Sequence, residues 1–333
     1  MAAKLPRIAV LGSLNMDLVS YVPHHPLPGE TLTATSFAVS PGGKGANQAV
    51  ACAKLSRSRA DASSSSSSAH ASTATASVAM IGSVGTDTYG TTLRENLAAH
   101  GVDAERVSAL EGRKTGVAII IVDEPSGQNR IVLSPEANHA LQPEDVSPAP
   151  ALIRTLGGAP ADLLIMQLEI PLQTVLAALR SAREAGVPVL LNPAPAVTLP
   201  ADALRGLAHL VVNETEAAIL GECEESVLDS QEGMEKVASG FIEKGVANVI
   251  ITLGGRGVYY MNKAGEKGLL PAQKAKVVDT TAAGDTFVGQ YALEAVSSKF
   301  DIVAAVNKSN RAAAKTVERQ GAQVSIPWRD ELL

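Results

Sequence analysis

The chain of 333 residues is short of several things, and each shortage removes a class of function. Aromatic residues make up only 3%, too few to stack bases along a nucleic-acid strand. The formal net charge is -6, with Lys and Arg scattered and not gathered into a basic stripe, so no nucleic-acid partner is expected. No apolar run reaches the roughly 18 residues that a membrane helix requires, so no membrane association is expected. The two cysteines, Cys52 and Cys223, have neither metal-ligand spacing nor the look of a secreted disulfide framework. The six histidines show no metal-ligand spacing either. Walker A, dinucleotide and Gly-x-Ser-x-Gly motifs are all missing. With no signal-peptide core after Met1 and no peroxisomal address at Leu332-Leu333, the expected compartment is the cytoplasm.

What is present is a soluble composition, 46% hydrophobic and 19% charged, with enough chain for a large core. Short apolar runs at Ile8–Leu11, Val78–Ile81, Leu163–Met166, Val187–Leu191, Leu210–Val212 and Val249–Thr252 read as buried strands. Helical patterns at Ala46–Leu55, Thr91–His100, Pro171–Ala185, Thr215–Leu220 and Glu232–Lys244 lie between many of them. This alternation predicts one α/β domain over residues 1–333, a mostly parallel sheet with helices on both faces. Two segments, about 15–41 and 113–137, lack helical period and are β-rich, which predicts a small antiparallel accessory sheet. Residues 57–77, with Ser63 to Ser68 in one run, bury too little apolar surface to repay ordering and read as a flexible surface insertion.

Chemistry-bearing residues gather where these strands end, the usual place for ligands in an open α/β sheet. Asp279-Thr280-Thr281-Ala282-Ala283-Gly284-Asp285 runs into a helix pattern from Thr286. Helix N-terminal N–H groups can hold an anion, small residues admit it, and Asp285 could take a proton from a hydroxyl. Read alone, the segment is equally a tight turn with an Asp cap. Gly42-Gly43-Lys44-Gly45-Ala46-Asn47 opens a helix, with Lys44 and Asn47 as donors for hydroxyls, or is a plain glycine turn. Asn15 and Asp17 follow the first strand, and Asp17 could accept from two neighbouring hydroxyls of a sugar. Glu169 ends a strand and is either surface or site. Asn213 and Glu216 open a helix; Glu216 either complements the helix dipole or holds a hydrated Mg²⁺. Thr252-Leu253-Gly254-Gly255-Arg256-Gly257 is either a turn or a backbone platform for a nucleotide.

In their order and spacing these motifs, with Met166-Gln167-Leu168-Glu169, Asn192-Pro193-Ala194-Pro195-Ala196 and Gly321-Ala322-Gln323-Val324-Ser325-Ile326-Pro327-Trp328, closely resemble the PfkB family of carbohydrate kinases from Ile8 to about Trp328. The resemblance implies a three-layer α/β sandwich with a small β-sheet lid over the sugar. It implies that Asn15, Asp17, Gly43, Lys44, Gly45, Asn47 and Glu169 hold ribose. Asn213, Thr252, Gly254, Gly255, Gly257 and Gly284 would line the ATP site, with Asn310 against the adenine, where some members of the family carry His. Asp285 would be the base, and Ala282, Ala283 and Gly284 the anion hole. A monovalent cation, K⁺ by expectation, would be held by Asp279, Thr281, Thr316, Arg319, Gly321 and Ser325, and Mg²⁺ by Glu216 through water. Gln290 stands where the family signature prefers Ala or Gly, which predicts altered packing of that helix.

The activity so implied is transfer of the ATP γ-phosphoryl group to O5 of ribose, with a homodimer formed through the lid. Other specificities remain open: 2-deoxyribose, adenosine or a hexose. The shortage of aromatics weighs against adenosine. A non-catalytic sugar-binding regulator is opposed by the intact Gly284-Asp285 pair.

Overall fold

The computed structural model describes residues 5–62, 74–200 and 202–332. A nine-stranded sheet forms the centre. It contains β1 (Arg7–Leu11), β4 (Ser77–Gly85), β5 (Asp103–Leu110), β8 (Leu163–Met166), β9 (Val189–Leu191), β10 (His209–Asn213), β11 (Asn248–Thr252), β12 (Val258–Asn262) and β13 (Lys267–Leu270). The order is β13-β12-β11-β10-β9-β8-β1-β4-β5, parallel from β11 to β5, with β12 and β13 added antiparallel at one edge.

Strand pleating sends alternate residues to opposite faces, and the two cores divide accordingly. In β1, Ala9 and Leu11 join the core beneath α3 (Leu172–Ala185), α4 (Glu214–Gly221) and α5 (Gln231–Glu243), whereas Ile8 and Val10 join the other core. That second core holds α1 (Lys44–Leu55), α2 (Thr88–Ala99), α6 (Ala283–Ala295) and α7 (Ile302–Thr316). Strands buried on both faces must be apolar throughout, which is why the runs predicted from sequence are near-continuous. The expected strand from Val187 begins only at Val189, because Pro188 has no N–H for the ladder; its carbonyl accepts from Leu164 N.

A second sheet holds β2 (Asn15–Val22), β3 (Ser36–Gly42), β6 (Gly116–Asp123) and β7 (Asn129–Ser134), in the order β3-β2-β6-β7. The expectation of an antiparallel sheet is corrected at its centre: β2 and β6 run parallel. Two hairpins supply the antiparallel pairs, but β2 and β6 are separated by α1, β4, α2 and β5, and such a long crossover allows parallel pairing. The chain therefore enters this sheet after β1, leaves it into α1, re-enters after β5 and leaves again at a 3₁₀ turn, Glu136–Ala140.

The expected insertion at 57–77 is ordered at its ends. Arg57 is buried, with Nε donating to Ala53 O at 3.1 Å, and a helical turn covers Arg59–Ala62. Ala74 and Ala76 are buried. The serine run at 63–68 lies outside the described residues. Gln290 donates to Glu294 Oε1 at 3.0 Å along its own helix, while its neighbour Gly289 meets α1.

Candidate active site

The carboxyl ends of β1, β8, β9, β10 and β11 face the N-terminal ends of α1 and α6, and the candidate residues meet there. The α1 N-terminus presses on the turn after β1. Gly43 caps it at φ +85, and a Cβ there would lie 2.7 Å from Asn15 N. A Cβ on Gly45 would lie 2.6 Å from Ser13 N. Both positions therefore need glycine to let backbone meet backbone; for Gly45 the reason is packing of α1 on this turn.

Glu169 gathers the turn from the β8 side. Its Oε2 accepts from Ser13 Oγ at 2.6 Å and from Lys44 N at 3.0 Å. Asn15 is buried, and its Oδ1 accepts from Asn138 Nδ2 at 2.8 Å. Asn138, on the 3₁₀ turn, also donates to Leu14 O and accepts from Leu14 N. Sequence reasoning missed Asn138; it has no motif, only an amide whose partners are distant in the chain.

Asp17 is buried and accepts no hydrogen bond among the described residues. Burial, then the nearby charges of Glu169 and Asp285, push its carboxyl up to about 7. Lys44 lies in the same field. Burial opposes its charge, but Asp285, Glu169 and Glu216 outweigh that and raise its ammonium above the ordinary value. A buried carboxylate without donors suits a ligand bearing hydroxyl groups.

Asp285 lies in the first turn of α6 and is buried. Both oxygens accept side-chain amides from α1: Oδ2 from Asn47 Nδ2 at 3.0 Å, and Oδ1 from Gln48 Nε2 at 2.9 Å. Asn47, expected to serve hydroxyls, gives the carboxylate one of the two N–H groups of its amide and keeps the other. Its own Oδ1 accepts from Gln323 Nε2 at 3.0 Å. Ala282 caps α6 in the left-handed region, φ 61, a conformation that costs an Ala of order 1 kcal/mol or more and concentrates at functional sites.

At the expected anion hole, Ala283 N donates to Thr280 O at 3.2 Å. Gly284 is exposed, with nothing within 4 Å of where a Cβ would stand. The N–H groups of Gly284 and Asp285, in the first turn, have no intrahelical carbonyl to meet.

Farther along the sheet, Asn213 caps α4 in a reciprocal box with Glu216. Asn213 Oδ1 accepts from Glu216 N at 2.8 Å, and Asn213 N donates to Glu216 Oε2 at 2.9 Å. Burial raises the Glu216 carboxyl against these bonds and the Lys44 charge. Thr252 ends β11, with Oγ1 donating to Val212 O at 3.3 Å. A short 3₁₀ turn at Gly254–Arg256 then reverses the chain into β12. A Cβ at Gly254 or Gly255 would meet nothing within 4 Å, whereas one at Gly257, φ +109, would strike Leu270 O at 2.0 Å. The first two glycines leave open space for a ligand; the third serves the hairpin. Asn310 on α7 is buried and donates to Pro271 O at 2.8 Å.

The segments proposed for a monovalent cation also meet. Asp279 Oδ1 accepts from Thr281 N and Oγ1, and Oδ2 accepts from Gly321 N at 2.8 Å. Thr316 Oγ1 donates to Thr286 Oγ1 at 2.9 Å, tying the end of α7 to the start of α6. Ser325 Oγ donates to Ala322 O, and Arg319 reaches Glu331. A separate cavity of about 570 Å³, between β4, β5 and the 140–154 segment, shares no lining residue with this site.

The chain is similar to known proteins along nearly its whole length. The pfkB family carbohydrate kinase model matches residues 5–329. A ribokinase of Schizosaccharomyces pombe is 42% identical over 323 residues, 96% of this chain and 94% of that one. A deoxyribokinase of Salmonella typhi is 35% identical over 321 residues, 96% and 95% of the two chains. The structure of Arabidopsis thaliana ribokinase complexed with ribose and ATP superposes with a TM-score of 0.82 at 27% identity, covering 99% of this chain and 98% of that one. The chain belongs to the pfkB family of carbohydrate kinases, phosphotransferases that act on sugars.

Proposed function

We propose that this protein phosphorylates D-ribose at O5 with ATP, giving ribose 5-phosphate and ADP. The observation that carries this reading is Asp285: a buried carboxylate on the first turn of α6, held at both oxygens and electrostatically coupled to Asp17 and Lys44. Asp17, Asn15, Gly43, Lys44 and Glu169 bind the sugar, with the Asp17 carboxylate taking two neighbouring hydroxyls. Asp285 accepts the O5 proton as that oxygen attacks the γ-phosphorus in line. The first-turn N–H groups around Gly284 face the charge that spreads over the phosphoryl oxygens. The open glycines Gly254 and Gly255, with Thr252, Asn213 and Asn310, receive the nucleotide. The small sheet acts as a lid that excludes water.

Two ions fit the donors present. Glu216, whose oxygens keep lone pairs beyond their bonds to Asn213, would hold Mg²⁺ through water; the ion neutralises charge on the phosphates when bound. Asp279 and Thr281, with Ser325 and backbone oxygens of Thr316, Arg319 and Gly321, would hold K⁺, which orders the loop ahead of α6. Exposed Phe37, Val39, Ile131 and Val132 on the small sheet support a homodimer through that sheet, since apolar strands at an open edge call for cover. Among the described residues no helix is long and apolar enough to cross a membrane; the composition supports a cytoplasmic enzyme.

The test is Asp285→Asn. Calorimetry should show ribose and ATP still binding, while turnover falls about 10²–10⁴-fold; near-normal turnover removes Asp285 from the role of base. A coupled assay with ribose, 2-deoxyribose, adenosine and hexoses, with and without K⁺, decides specificity. The similarity to a deoxyribokinase makes 2-deoxyribose the competing substrate. A buried Asp17 with no donor of its own favours the sugar with more hydroxyls to offer.

A further inference from the structure

Asp285 is not held by a single neighbour. It terminates two chains of side-chain amides drawn from five stretches of the chain: α1, α2, the ends of β8 and β9, and the segment after α7. On one arm, Gln167 Nε2 donates to Gln48 Oε1 at 2.6 Å, and Gln48 Nε2 donates both to Asp285 Oδ1 and to Asn192 Oδ1, each at 2.9 Å. On the other, Asn96 Nδ2 donates to Gln323 Oε1 at 2.6 Å, Gln323 Nε2 to Asn47 Oδ1, and Asn47 Nδ2 to Asp285 Oδ2.

The direction of the first arm is determined. Asn192 Nδ2 is committed to the backbone carbonyl of Val211 at 3.0 Å, so Asn192 must turn its Oδ1 toward Gln48. Gln167 donates into Gln48 Oε1 from the opposite side. The Gln48 amide can then present only its NH₂ to Asp285; the flipped amide would set oxygen against oxygen at Asp285 and Asn192 and nitrogen against nitrogen at Gln167. Gln48 and Gln167 have no exposed surface at all, 0% each, so no sugar or nucleotide reaches them. Gln48 has its oxygen and its nitrogen both paired, which fixes its rotamer firmly, because any other rotamer leaves polar atoms unpaired; Gln167 Oε1, by contrast, is buried with no partner among the described residues.

We propose that Gln48 is the positioning residue for the Asp285 base: oriented by Gln167 and Asn192, it pins Oδ1 and leaves Oδ2, on the less enclosed Asn47 side, to receive the hydroxyl proton. This rests on Asp285 being the base. Gln48 touches neither substrate nor the reacting atoms; it acts only through that carboxylate. Loss of the pin lets the carboxylate rotate away from the attacking hydroxyl while ribose and ATP stay bound, so the effect falls on kcat and not on KM.

The test is a double-mutant cycle of Gln48→Met, which keeps the length and removes the donor, with Asp285→Asn. Gln48→Met alone should lower kcat about 10–100-fold with KM for ribose held within about threefold. In the Asp285→Asn background it should lower kcat no further. Equal losses in both backgrounds, a loss in KM alone, or an unchanged kcat would overturn the proposal. An active Asp285→Asn single variant would instead overturn the base assignment. Should melting show Gln48→Met unfolded, Asn192→Leu carries the same cycle, since it leaves Gln48 in place but removes the acceptor that turns its amide. A smaller kcat loss that again vanishes with Asp285→Asn supports the proposal, and one that persists overturns it.

Discussion

Gly42 lies directly against Asp17: a Cβ at position 42 would stand 2.0 Å from Asp17 Oδ2 and 2.3 Å from Cγ. Gly42 is the last residue of β3 and pairs with Asn15, so its backbone cannot retreat without breaking that pair. Its backbone is of a kind open to any L residue, and a substitution acts through the Asp17 carboxylate. Gly42→Ala should raise KM for ribose by about 10–100-fold, the value of hydrogen bonds to a charged acceptor. KM for ATP should hold within about twofold. Steady-state kinetics with each substrate varied in turn separates the two.

Asp17 also makes stability depend on pH in the absence of sugar. Its ordinary value is 3.8 and its folded value about 7, so between these the folded chain keeps a proton that the unfolded chain has released. Stability from this group is full below the lower value and is lost as pH rises to about 7, then stays level. Asp17→Asn removes the dependence. Its melting temperature relative to the parent should climb from pH 4 to pH 7 and reach a plateau, a gain of about 2–4 °C. The variant should show no thermal shift with ribose. Scanning fluorimetry of the sugar-free protein across this range checks both.

Gly255 offers a clean probe of the nucleotide side. It sits on the 3₁₀ turn with open space where a side chain would project, so a larger residue disturbs nothing in the protein itself. Gly255→Val should leave the melting temperature of the ligand-free protein within about 2 °C and raise KM for ATP about tenfold, with ribose affinity by calorimetry unchanged. Equal KM values for ATP in parent and variant would move the adenine or ribose of the nucleotide away from this turn.

Much of this arrangement was legible beforehand, for a physical reason. Strands buried on both faces must be apolar, so β1, β8, β10 and β11 stand out, and polar residues just past their ends stand out in turn: Asn15, Asp17, Glu169, Asn213, Thr252. The amides around Asp285 were not legible. Gln48 lies within a helical run, Gln167 ends a strand, and Gln323 follows α7; only folding brings 48, 167, 192 and 323 together. One signal was available: Gln48 is a long polar side chain among Ala46, Ala49, Val50 and Ala51, on a helix whose other members are almost wholly buried. The parallel β2–β6 pair was hidden because strand pairing across nearly a hundred residues leaves no local pattern.

Gly289 tests the packing that carries Asp285. A Cβ there would lie 2.5 Å from Ala51 Cβ and 2.9 Å from Cys52 N, where α6 crosses α1. Backbone cannot yield as a side chain can. Gly289→Ala should destabilise by about 1–3 kcal/mol in urea unfolding and lower kcat as well, since it separates the helix bearing Asp285 from the helix bearing Asn47 and Gln48.

The four passages of the chain between the two sheets have a mechanical consequence. They run from Leu11 to Asn15, from Gly42 to Lys44, from Leu110 to Gly116 and from Ser134 to Glu136. Asn15 pairs with both Gly42 and Gly116, so three of the passages are stitched at one point, and Asn138 fastens the fourth to the same residue. A plate mounted on four collinear pins keeps one degree of freedom, rotation about their common axis. Asn15, Gly43 and Lys44, which we propose bind the sugar, sit on that axis and not under the free edge. Whatever occupies the site is therefore gripped by the axle itself, where a small turn of the plate moves its bearings least.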